Sequence, residues 1–132
     1  MTLIGFDFGT SKIGIAVGQT VTGSATPLQT LPWRQGKPDW DGISRLIQTW
    51  QPQAFVVGIP YDKDGKEEDW TPRIHRFARQ LEGRYHLPVH KVDEHLTSME
   101  ARSQLGLKPG SREIVDAMAA KLILETWLSE QH

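Results

Sequence analysis

The stretch "AFVVGIP", residues 54–60, is almost wholly apolar and ends in a turn signal. A half-exposed strand would alternate apolar with polar residues. A run without alternation predicts a short strand buried on both faces. Such a strand must be covered from two sides, which restricts the chain to layered architectures.

The remaining pattern says what the layers are. Residues 3–8 are apolar apart from Gly5 and Asp7, and residues 13–17 read Ile-Gly-Ile-Ala-Val. Gly9-Thr10-Ser11-Lys12 between them predicts a hairpin turn. A third strand is predicted over Ala25 to Leu31, with Pro27 placing it at an edge or a strand start. Ile43, Leu46, Ile47 and Trp50 recur at helical spacing within Asp39 to Gln51, and Pro52 ends that helix. A second helix is predicted over residues 72–84, with Thr71 as its cap, Pro72 first and Ile74, Phe77, Ala78 and Leu81 as its apolar stripe. "LPVHKVDE", 87–94, reads as a strand; a short helix follows over Ser98 to Leu105, and a last one from Arg112 to Leu128 with Ser111 as its cap. The core order is β-β-β-α-β-α-β-α, an α/β fold with a mixed five-stranded sheet and helices on both faces. The chain's 132 residues suit a single domain, 1–132.

Composition narrows the functional classes. No cysteine is present, so disulfides and thiolate zinc sites are excluded. No stretch approaches the roughly 18 apolar residues of a membrane span, and no basic-then-apolar leader opens the chain. A cytoplasmic protein without membrane contact is expected. A net charge of −1 lacks the basic excess of a strong nucleic-acid binder, but acidic and basic patches cancel in a sum.

Three acidic positions need explaining. Asp7 interrupts an apolar strand, Asp93-Glu94 closes the fifth strand, and Asp116 sits in the last helix with Ala119 and Ala120 at i+3 and i+4. Each has a plain reading: a solvent-facing strand residue, a solvated strand end, an acid favoured by the dipole at a helix start. Together they are harder to dismiss. The small alanines let the last helix approach the sheet closely, and the central strands can carry all the acids to one end. Converging carboxylates repel, so such a cluster favours one or two divalent cations.

Four segments carry a family resemblance. "GFDFGTSKIGIAVG", "VVGIPYDKDGKEED", "VDEHLTSMEAR" and "VDAMAAKLILETWL" resemble, in order and spacing, the motifs of the YqgF/RuvX family, described both as Holliday junction resolvases and as pre-16S rRNA nucleases. The resemblance spans nearly the whole chain. It implies an RNase H-like fold and a metal-dependent nuclease centre of Asp7, Glu94 and Asp116, with Asp93, Gly9 and Thr97 in support. The family commonly carries Arg at the position of Lys12 and "DER" where this chain has Asp93-Glu94-His95. Lys12 keeps the charge but not the bidentate fork, and His95 does not guarantee a cation at neutral pH.

The implied chemistry is phosphodiester hydrolysis with Mg²⁺ or Mn²⁺, one ion or two, directed at the 5′ end of pre-16S rRNA; the alternative substrate is a Holliday junction in DNA. Partners on this reading are structured RNA or branched DNA, and a ribosomal precursor, with the chain acting as a monomer or a dimer. Lys12, Lys63, Lys66, Arg73 and Arg76 are the expected substrate-binding residues, and Arg79 and Arg84 extend the basic helix. Two rivals differ in class. "DFGTS" also opens the phosphate hairpin of sugar kinases, chaperone ATPases and actin, but 132 residues hold one lobe and no second phosphate motif is present. A non-catalytic nucleic-acid-binding module is disfavoured because all three acids are present.

Overall fold

A computed structural model describes residues 1–9, 12–59, 71–93 and 112–131, with the backbone alone at 93 and 112–116. The apolar run forms β4 (Ala54–Ile59), buried at every position. It pairs in parallel with β1 (Thr2–Phe8) on one side and β5 (Val89–Asp93) on the other. β1 also pairs antiparallel with β2 (Lys12–Gln19), which pairs antiparallel with β3 (Ser24–Pro32). The sheet order is β3-β2-β1-β4-β5. Two antiparallel hairpin pairings and two parallel crossovers make the mixed sheet that the sequence predicts.

Pro27 lies on β3, the edge strand, where its missing N–H costs no ladder bond. The β2–β3 register slips between Ile15 and Ala16, which face Gln29 and Pro27, leaving Leu28 as the extra residue of a bulge.

The period-two alternation of β1 divides the interior into two layers. Ile4, Phe6 and Phe8 face α1 (Trp40–Trp50) and α2 (Thr71–Tyr85), packing with Ile43, Ile74, Phe77 and Leu81. Phe6 meets Phe55 and Phe77 edge-on, with ring centroids 5.7 and 5.4 Å apart. Leu3 faces the other way, toward α3 (Arg112–Glu130), with Ala54, Val56, Val92, Ile123, Leu124 and Leu128. Each large side chain fully buried in these layers contributes about 1.5–3 kcal/mol of transfer free energy.

The helix ends show how local chemistry sets the boundaries. Asp39 caps α1 by accepting a hydrogen bond from the Gly42 N–H at 3.0 Å. Gln51 closes the helix in the left-handed region, φ 47°, and its N–H donates to the Ile47 carbonyl. At α2 the structure differs from expectation. Thr71 is the first helical residue and fully buried, and its hydroxyl makes no hydrogen bond among the described residues, so the predicted side-chain cap is not formed. The helix predicted over Ser98–Leu105 and the Ser111 cap lie outside the described residues. Among the described residues no helix is long and apolar enough to cross a membrane.

Candidate functional site

Asp7 is the penultimate residue of β1, half-buried, on the face of the sheet that carries Leu3 and α3. Its partner on β2 is Gly14. On the other side Phe6 pairs with Val57, which brings Gly58 of β4 level with Asp7. Neither flanking residue has a side chain. Within the sheet, therefore, no side chain stands beside the carboxylate on either neighbouring strand. Glycine inside a strand weakens it and marks a place where another group approaches closely. Sequence reasoning passed over Gly14 and Gly58; their signal was glycine at interior positions of otherwise apolar strands.

The helix above this face sits unusually close. A Cβ placed on Gly5 would stand 3.0 Å from the Leu124 Cβ and 3.2 Å from the Ala120 carbonyl oxygen. One on Gly18 would stand 2.8 Å from Leu124 Cδ2. Ala119 and Ala120 are fully buried, as the small-residue spacing predicts. Leu124 and Glu125 reach Gly18 and Ala25, which lie on the row of Leu3, while the Ala120 carbonyl lies over Gly5, so α3 runs antiparallel to β1. One further turn toward the start of α3, about 5.4 Å, is position 116. Two residues further along β1, about 6.8 Å, is Asp7. The backbone thus carries positions 7 and 116 to the same end of the same layer. The Asp116 side chain lies outside the described residues.

Asp93 is the last residue of β5 and pairs with Ile59. β4 intervenes between β1 and β5, so the two strands are about 10 Å apart. Between Asp7 and Val92 on that row stands Gly58, again without a side chain. Glu94, Thr97, Lys63 and Lys66 lie outside the described residues. Among the described residues no three His, Asp or Glu side chains are grouped to hold a metal ion.

The hairpin beyond Asp7 is tightly drawn. The Gly9 N–H donates to the Lys12 carbonyl at 2.9 Å, and a Cβ on Gly9 would lie 2.6 Å from that oxygen. Only glycine fits there without moving backbone. Lys12 opens β2, half-buried, and pairs with Pro32.

Arg73 and Arg76 are exposed on α2, in the layer opposite α3. They line a cavity of about 350 Å³ together with Arg84, Lys37, Trp33 and Trp40. Phe8 contributes to its wall, and Phe8 is the neighbour of Asp7 in β1. The carboxylate and the basic cavity are therefore back to back at one end of the sheet.

Known proteins resemble this chain in sequence and in fold. The family model described as RuvX, Holliday junction resolvase, matches residues 1–130. A relative from Nitrosococcus oceani is 48% identical over 132 residues, covering 98% of this chain and 87% of its own length. Another from Coxiella burnetii is 50% identical over 131 residues, covering 97% and 92%. Both are provisionally named pre-16S rRNA nucleases. Among solved structures, Thermus thermophilus RuvC in complex with a Holliday junction superposes with a TM-score of 0.56 at 17% identity, covering 99% of this chain and 96% of that one. The fowlpox virus Holliday junction resolvase gives 0.60 at 10% identity, with both chains fully covered. The fold shared with these structures is RNase H-like.

Proposed function

The chain belongs to the RuvX family, and from that premise we propose that it is a nuclease cutting pre-16S rRNA near its 5′ end in the cytoplasm. Asp7, Glu94 and Asp116 are its metal-holding residues, with Asp93, Gly9 and Thr97 in support. The observation that carries the reading is Asp7 itself: a half-buried carboxylate between Gly14 and Gly58, at the end of β1, under a helix drawn close to the sheet. A half-buried carboxylate is a hard oxygen donor, and an all-oxygen donor set suits Mg²⁺ or Mn²⁺. When bound, the metal supplies charge stabilisation at the scissile phosphate and an activated water. The protein's own residues do the rest. Asp7 fixes the site to β1, the central strand of the sheet. The close packing of α3 on Gly5 brings position 116 to the same end of that layer. The Gly9–Lys12 hairpin sets the strand end. Lys12, Lys63, Lys66, Arg73 and Arg76 neutralise substrate phosphates.

The second reading, a Holliday junction resolvase, is favoured by the description of the matching family. It requires paired cuts and therefore a dimer. The test is a cleavage panel with Mg²⁺ and with Mn²⁺, comparing structured RNA, single-stranded RNA and a four-way DNA junction. Asp7→Asn is expected to abolish cleavage while the fold is kept, since the amide is nearly isosteric. Stabilisation of the protein by added Mg²⁺ should shrink in the variant, because a ligand stabilises only as far as it binds the native state. An Asp7→Asn protein that cuts at the parental rate removes Asp7 from the active site.

A further inference from the structure

We propose that the cavity between α2 and the 33–40 connection binds an unpaired nucleic-acid strand, with phosphates on Lys37, Arg73, Arg76 and Arg84 and bases on the guanidinium–indole stacks of Arg73 with Trp33 and Arg84 with Trp40. This deepens the nuclease reading and rests on it for the purpose of the contact, but not for the contact itself.

The charge is the first argument. Among the described residues none of the four cations forms an ion pair; the pairs present are Arg34 with Asp39 and Lys121 with Glu125. Asp39, the acid nearest the groove in sequence, is buried and already engaged by Gly42 and Arg34. A chain with a net charge of −1 thus gathers four cations around one cavity with no acid partner among the described residues. Mutual repulsion makes that arrangement unfavourable until a polyanion enters it.

The aromatic residues decide which polyanion. Arg73 lies over the Trp33 ring at 5.2 Å, and Arg84 over the Trp40 ring at 4.2 Å. Phe8 meets Trp33 edge-on at 5.0 Å, and Phe77 stacks under Trp40 at 5.5 Å. The indoles are therefore braced from the core and each is covered by a guanidinium, whose outer plane is the one an entering base meets. Aromatic and guanidinium planes accept bases only when those bases are unstacked, which a duplex does not offer. Arg73 and Arg84 are three helical turns apart on α2, about 16 Å, so the groove is longer than one nucleotide. Its Phe8 end adjoins Asp7 through the sheet. A strand held there passes around the end of β1, which makes the preferred substrate one with an unpaired segment beside the cut.

The test is fluorescence anisotropy with labelled single-stranded RNA, the same sequence as DNA, and a blunt duplex, on the full chain in EDTA so that nothing is cut. Single strands are expected to bind about tenfold tighter than the duplex, since only unstacked bases can stack on the protein. The variant Lys37→Ala/Arg84→Ala, at two exposed positions, should weaken strand binding about tenfold or more. Its dependence of log K on log salt should flatten by roughly 0.7 for each phosphate that is no longer neutralised. Melting curves check that the variant is folded. Equal affinity for strand and duplex, a folded variant with unchanged affinity, or displacement by polyglutamate as potent as by unlabelled strand would each overturn the proposal. Failure of the nuclease reading looks different: strand binds as expected, and no substrate is cut when metal is added.

Discussion

Replacing Gly5 by alanine tests whether the closeness of α3 to β1 is what assembles the site. The added Cβ meets Leu124 Cβ at 3.0 Å and the Ala120 carbonyl oxygen at 3.2 Å, where ordinary contacts begin at 3.4 Å. Neither neighbour is the far end of a flexible chain, so the helix itself must retreat, by roughly 0.4 Å in a close-packed interior. Overpacking of this kind costs about 1–3 kcal/mol. The same retreat carries position 116 away from Asp7, and misplacement of that order lowers catalysis disproportionately, by up to about 10²-fold for 1 Å. Gly18→Ala is the comparison. Its Cβ meets Leu124 Cδ2 at 2.8 Å and Cγ at 3.1 Å, atoms that Leu124→Ala removes, and the Ser24 carbonyl oxygen at 3.2 Å, which stays; the tightest contact is the one relieved. Urea unfolding of both double-mutant cycles separates the cases. Leu124→Ala alone should cost about 2–5 kcal/mol by leaving a cavity. Combined with Gly18→Ala it should cost less than the sum by about 1 kcal/mol or more, because each change relieves the other. Combined with Gly5→Ala no such relief is expected, since the Cβ and the carbonyl remain. Gly5→Ala with parental stability and parental cleavage would refute the reasoning.

Other substitutions probe the frame. Gly83→Ala on α2 places a Cβ with nothing within 4 Å and should stabilise by about 0.5–1 kcal/mol, read from the shift in urea midpoint. Gly9→Ala must displace the Lys12 carbonyl, 2.6 Å from the new Cβ, and should cost about 1–3 kcal/mol and lower cleavage, seen in parallel melting and activity assays. Asp39→Ala removes the α1 cap and should cost about 1–2 kcal/mol at neutral pH. The Gly42 N–H first, and then Arg34, hold the Asp39 carboxyl below its usual 3.8 against the opposing effect of burial. A depressed carboxyl stabilises above its unfolded value and loses that stabilisation as pH falls through its folded one. The gap between parent and Asp39→Ala should therefore narrow below about pH 4 in a pH series of unfolding curves; a gap constant to pH 2 would contradict it.

The sequence by itself determined the elements and their order, because each was written in local chemistry. The unbroken apolar run made β4 a strand covered on both faces, Pro27 put β3 at the edge, and Asp39 and Pro52 bounded α1. Alternation in β1 assigned Phe6 and Phe8 to one side and Asp7 to the other. The four motifs named the family. Only the tertiary structure decided what these residues face. Strand order set Gly14 and Gly58 on either side of Asp7, a pairing of positions far apart in the chain that no local pattern encodes. The alanines of the last helix announced a close approach to the sheet, but only the packing showed that it falls over Gly5 and Gly18. The basic residues of α2 read in sequence as one helix face. Packing of Trp33 and Trp40 against Phe8 and Phe77 made them one wall of a cavity, on the opposite layer from the carboxylate they were expected to serve. Local propensity acts through neighbours in the chain; register and layer packing act through neighbours in space, and the site is made from the second kind.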